Sequence, residues 1–153
     1  MRKETLLVVG FLAIVIGTSA LIWSFALPNF RPIHFPKAAS ATISIGPMRK
    51  LHTLNEADLA SLNEWLQNHE HGWGPLTTKT PSTGDAIINV APEQGEPYSL
   101  TLWNGISGAD WNETVILHFA PGTPFKIQSF DSKEYLPLRR LIEDQPYQRT
   151  DVP

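Results

Sequence analysis

The stretch DAIINVAPEQGEPYSLTLWNGISGADWNETVILHFAPGTPFKIQSF, Asp85 to Phe130, decides the fold of this chain. Four runs in it, DAIINVA (85–91), YSLTLW (98–103), TVILHFA (114–120) and FKIQSF (125–130), are rich in β-branched and aromatic residues. Turn material of Pro, Gly, Asn and Glu separates them. Connections as short as PEQGEP and PGTP join antiparallel neighbours, because a parallel crossover needs about a dozen residues or more. The stretch therefore reads as an antiparallel meander.

Alternation assigns faces to the four strands. Ala86, Ile88, Val90, Tyr98, Leu100, Leu102, Val115, Leu117, Phe119, Phe125 and Ile127 fall on one side, expected to be the core. Ser99, Thr101, Trp103, Ile116, His118, Lys126, Gln128 and Phe130 fall on the other. A further strand is expected at TISI (42–45), continuing in broken form toward Leu51 across Gly46 and Pro47.

Upstream of the meander, LNEWLQNHEHGWGPL (62–76) closes an amphipathic helix. Asn55 and Asp58 have the spacing of an N-cap, Leu54 and Leu59 that of a hydrophobic staple, and Leu59, Leu62 and Leu66 share one face. Gly72 and Pro75 are its expected stop signals. After the meander, Tyr135, Leu138, Leu141 and Ile142 recur at helical spacing, with Pro137 expected near the helix start. The fold class is α+β: a meander of about four to five strands against one main helix, plus a short C-terminal helix.

The first segment is of another kind. From Thr5 to Leu27 the chain carries no charge over 23 residues, a helix of roughly 34 Å at about 1.5 Å per residue. A cleavable signal peptide is the competing reading, given Arg2, Lys3 and Ser24-Phe25-Ala26, but its apolar region is typically only about 7–15 residues long. The basic N-terminus places residues 1–4 in the cytoplasm, 5–27 in the bilayer and the remainder outside the cytoplasm. Residues 28–41, with three prolines near their start, are expected as an extended spacer, 42–143 as the domain and 144–153 as a disordered tail.

The exported part holds ten Lys and Arg against fourteen Asp and Glu. Without clustered basic charge, nucleic acid is excluded as the expected partner. The absence of cysteine rules out disulfides, thiolate metal sites and Cys nucleophiles, and no cofactor is implied.

His69, Glu70 and His71, with His118, offer an alternative: a metal-dependent or hydrolytic enzyme using the three histidines. Residues two apart diverge on a helix, however, and the His69–His71 pair falls where the helix stops. Ser107, Asp110 and His118 follow the order of some hydrolytic triads but lack the strand–turn–helix context of a nucleophile elbow. The aromatics carry more information. Trp103, Trp111, His118 and Phe130 are expected to form a binding surface, with Trp73 either joining it or covering the core. The expected function is that of a membrane-anchored, extracytoplasmic, non-catalytic domain that binds another protein.

Overall fold

A computed structural model of the protein describes residues 2–30, 32–46 and 49–143, the side chains of 26–30 excepted. The expected tail, 144–153, and Met1 lie outside the described residues. Helix α1 spans Lys3–Phe30. Its portion Lys3–Phe25 has a mean hydropathy of 2.5, and by length and composition it is able to cross a membrane.

The domain then runs β1 (Ala38–Ile45), β2 (Lys50–Thr53), α2 (Glu56–Asn68), β3 (Gly74–Pro75), β4 (Ala86–Pro92), β5 (Tyr98–Trp103), β6 (Thr114–His118), β7 (Lys126–Ser129) and α3 (Ser132–Glu143). The seven strands form one antiparallel sheet in the order β2-β1-β4-β5-β6-β7-β3. The α+β class and the meander β4 to β7 match the sequence expectation. The sheet is larger than four to five strands, because the chain reverses at Gly46 to make β2 a separate edge strand and Gly74–Pro75 adds a two-residue edge at the other side.

The segment 28–41 is not a free spacer. Helix α1 continues to Phe30, β1 begins at Ala38, and Phe35, Ala38 and Ala41 are buried in the core. Asn63 of α2 fastens this arrival: its side chain accepts from Ala38 N at 2.8 Å and donates to Ala38 O at 3.3 Å, beside the bulge in the β1–β4 ladder. Both backbone groups of Ala38, at the residue that precedes the bulge, are thereby satisfied by one side chain.

Both domain helices cover one face of the sheet. Helix α2 is capped as expected, with Asn55 Oδ1 accepting from Asp58 N at 2.8 Å, and buries Leu62, Trp65 and Leu66. It ends at Asn68 with His69 as C-cap. Gly72, at φ +87°, lies three residues farther on and turns the chain toward β3 instead of closing the helix. Helix α3 starts at Ser132, with Asp131 Oδ1 accepting from Glu134 N. Pro137 therefore sits inside the helix, not near its start. The Trp65 indole N–H donates to Glu134 O at 2.8 Å and joins the two helices.

The other face is crossed by the connection 76–85. It leaves β3 at one edge and must pass β7, β6 and β5 to reach β4. Gly84 makes this passage possible: at φ +91° a Cβ would lie 2.4 Å from the Thr101 methyl. Gly108 lets a second loop approach, since a Cβ there would lie 2.7 Å from Pro81 Cγ. Trp103 and Ile116 on this face are consequently 1% and 4% exposed.

Strand β7 presents its faces the opposite way from expectation. Leu117 pairs with Lys126 and Ile116 with Ile127. Lys126 and Gln128 thus share the helix side with Leu117 and Val115, while Ile127 joins Ile116 on the opposite face. A single-residue slip exchanges the two faces of a strand, and the expected assignments of Phe125, Ile127, Lys126, Gln128 and Phe130 are reversed together.

Candidate functional site

The sheet has two ends. At the near end, where the chain arrives from α1, lie Ala38 and the turns 93–97 and 119–125. At the far end lie the turn after Ile45, Asp85 and the loop 104–113, as the pairings Ile45 with Ala86, Ala86 with Leu102 and Trp103 with Thr114 require.

Asp85 organises the far end. Its N–H donates to Leu102 O at 2.8 Å and its carbonyl accepts from Gly46 N at 3.0 Å, which pins the residue between strands. Its side chain accepts from the backbone N–H groups of Asn104 at 2.7 Å, Ile106 at 3.2 Å and Ser107 at 2.9 Å. Burial pushes the carboxyl up, but the Ser107 hydroxyl and these three N–H groups outweigh it and hold the group below the ordinary carboxylate range. The carboxylate does for this loop what an N-cap does for a helix.

A chain of hydroxyls extends the network. Trp103 Nε1 donates to Ser82 Oγ at 2.9 Å, and Ser82 Oγ lies 2.7 Å from Ser107 Oγ. Ser82 Oγ already accepts from Trp103 Nε1 and from Gly84 N, so its own proton is the one directed to Ser107. On the other flank, the Tyr135 hydroxyl donates to Asn104 Oδ1. Arg139 reaches Asn112 and Glu113, with Nη2 3.2 Å from Asn112 Oδ1 and 3.4 Å from Glu113 Oε1.

The network presents an apolar tip. The short 3-10 turn Ala109–Trp111 sets the Trp111 ring 5.1 Å from the buried Trp103 ring at 59°, leaving Trp111 half-buried. Ile106, between the two residues whose amides Asp85 also engages, is 85% exposed. Of the expected surface pair, Trp111 is half-buried here and Trp103 is buried, while Ile106 and Asp85 were not among the expected residues. The available signal was an Asp at the start of one strand followed by an Asn-Gly turn at the end of the next.

The other expected site residues lie elsewhere. Trp73 is 3% exposed and Phe130 7%; their rings are 5.7 Å apart, and each packs on Trp65. Trp73 therefore covers the core, and Phe130 belongs to the helix side, so neither joins Trp103 and Trp111. His118 is opposite Ser99 and stacks on Phe125 at 4.3 Å, toward the near end.

The histidines do not converge either. His69 is stacked on Trp65 at 4.4 Å, with Nδ1 2.7 Å from Trp65 O, on the helix side. His71 is exposed, and His118 is on the opposite face of the sheet. Among the described residues no three His, Asp or Glu side chains gather in a metal-binding arrangement. Ser107 bonds to Ser82 at the far end, apart from His118.

No protein-family model, curated protein or solved structure matches this chain.

Proposed function

We propose that this protein is a single-pass, membrane-anchored domain held outside the cytoplasm, of periplasmic type, which acts without catalysis by binding another protein of the envelope or a secreted one. The observation that carries this reading is the far-end loop, in which a network closed on Asp85 holds Ile106 open to solvent in the same loop as the half-buried Trp111.

Three physical points support it. A loop already fixed by hydrogen bonds loses little conformational freedom when a partner arrives, so more of the contact energy appears as affinity. Tryptophan is enriched among binding hot spots. The loop, with its Ser, Gly, Asn and Trp residues, also has the composition of adaptable binding loops. Its place at the sheet end away from Ala38 turns it from the side at which the anchor joins.

The test is site-specific photocrosslinking in the full-length chain in its native membrane, with the crosslinking residue at position 106 and, for comparison, at Gln94 in the near-end turn. A protein adduct at 106 that is lost on Trp111→Ala supports the reading. Adducts equal at both positions, or unaffected by Trp111→Ala, would remove the loop as the binding site. Protection of the domain from protease added to intact cells whose outer layers have been opened would overturn the orientation.

A further inference from the structure

The near end of the sheet carries a second exposed apolar feature, and it lies within a short tether of α1. The turn that joins β6 to β7 reads Phe119-Ala-Pro-Gly-Thr-Pro-Phe125 and contains no charge. Residues 121–124 are all exposed, and Phe125 is 45% exposed with its ring stacked on His118 at 4.3 Å. A ring held in place in this way keeps its outward edge apolar without the entropy cost of ordering a free side chain.

The distance to the membrane follows from the chain. If Lys3–Phe25 crosses the hydrocarbon, the remaining helical residues to Phe30 add roughly 7 Å, about the thickness of one headgroup layer. From Phe30 to Phe35 the chain reaches at most about 17 Å, and the Phe35 ring is 6.3 Å from Phe119. The turn 119–125 is therefore tethered within a few nanometres of the bilayer surface, and Phe35, buried in the core, stops the domain from drifting on a longer leash.

Charge at this end is mixed and partly paired. Glu93 is 3.9 Å from Lys37 and Glu70 lies 3.5 Å from the His34 ring, which leaves Glu96, exposed in the 93–97 turn, as the acid without an ion-pair partner among the described residues at this end. Lys126 follows directly on Phe125, so an apolar ring able to enter the headgroup–acyl boundary is followed by an ammonium whose stem lets it stay in water.

We propose that the β6–β7 turn, led by Phe125, rests in the headgroup layer of the bilayer that holds α1. The domain then stands end-on with its far-end loop directed away from the membrane. This inference rests on α1 being an anchor.

The natural chain has no cysteine, so single spin labels can be placed in the full-length protein through Leu12→Cys, Pro121→Cys, Phe125→Cys and Ile106→Cys. Each is reconstituted in vesicles of phosphatidylethanolamine and phosphatidylglycerol, and its collisions with oxygen and with a water-soluble nickel chelate are compared. The expected result is a deep, oxygen-rich label at 12 and an oxygen-to-nickel ratio several-fold higher at 121 and 125 than at 106. A deep label at 12 with ratios at 121 and 125 equal to that at 106 overturns the docking and leaves the anchor standing. Nickel access at 12 equal to that at 106 overturns both. Spin–spin broadening at 125 means that a second copy of the chain covers the turn, and the lipid assignment fails.

Discussion

Asp85 accepts the backbone N–H of Ser107 at 2.9 Å, so the residue that precedes one central strand shapes the loop that follows its neighbour. Asp85→Ala would leave the amides of Asn104, Ile106 and Ser107 without their acceptor. Hydrogen bonds to a charged group contribute about 1.5–3 kcal/mol each, and water recovers part of that at a surface loop, so a loss of about 2–3 kcal/mol is expected. Urea unfolding of the two proteins measures it. The pH dependence has a definite sign. The folded-state pKa is lowered, so the contribution is fully present above the ordinary carboxylate value of 3.8 and is lost as pH falls through the folded value. The stabilities of wild type and Asp85→Ala therefore converge in acid, and a gap that stays constant below that value would show that the carboxylate charge is not what holds the loop.

Tyr98 and Tyr135 separate two fates of a buried hydroxyl. Tyr135 donates to Asn104, whereas the Tyr98 hydroxyl is buried with no hydrogen-bond partner among the described residues. Burial raises both pKa values, so the stability they contribute is present below the ordinary phenol value of about 10 and is lost as pH rises beyond it. Tyr98→Phe removes an unsatisfied polar atom and is expected to be neutral or stabilising by about 1 kcal/mol, while Tyr135→Phe is expected to cost about 1 kcal/mol. Both substitutions should reduce the alkaline loss of stability, as thermal unfolding against pH would record. Destabilisation by Tyr98→Phe equal to that by Tyr135→Phe would contradict the assignment.

Gly84 tests whether the connection 76–85 is pressed against the sheet. Gly84→Ala places a Cβ 2.4 Å from the Thr101 methyl at a backbone conformation that favours glycine, and a cost of about 2–4 kcal/mol is expected from the clash and strain together. Thr101→Ser deletes that methyl. In a double-mutant cycle the pair should therefore recover about 1 kcal/mol or more relative to additivity. Simple additivity would mean that the strap does not lie on Thr101.

These contacts mark where the sequence was legible. Strong local signals survived into the structure: the Asn55 cap, the Leu62 and Leu66 stripe, the four meander strands and the placement of Tyr135, Leu138 and Leu141. Beyond the local misplacement of Pro137 and Gly72 relative to their helix ends, what failed depended on contacts distant in sequence. Strand β7 alternates Phe125, Ile127 against Lys126, Gln128, which points the apolar set at the core, yet Phe130 is drawn under Trp65 and Trp73 and the whole strand turns over. Trp103 lies on the expected outer face but is covered by residues 81–84, which have no periodicity to announce them. Trp73 was ambiguous because its flanking glycines permit either direction; packing on Phe35, Trp65 and Phe130 decided it. At the site, the aromatic pair was visible in the sequence, whereas the Asp85 acceptor was not, since three amide donors separated from it by a full hairpin leave no local pattern.

The two apolar residues of the far-end loop should separate stability from binding. Ile106 is 85% exposed and makes little contact that folding could use, so Ile106→Asp is expected to change stability by no more than about 0.5 kcal/mol. Trp111 is half-buried on Trp103, and Trp111→Ala is expected to cost about 1–2 kcal/mol through lost area and ring contact. If the loop is the binding surface, both substitutions weaken partner association by at least about tenfold, equivalent to about 1.4 kcal/mol, in spite of their different effects on folding. Urea midpoints of the purified chain and titration of the crosslinked partner, once isolated, supply the two measurements. An Ile106→Asp protein that is as stable as wild type and binds as tightly would remove Ile106 from the interface. Proportional losses of binding and stability across the pair would instead mean that the loop matters only for folding.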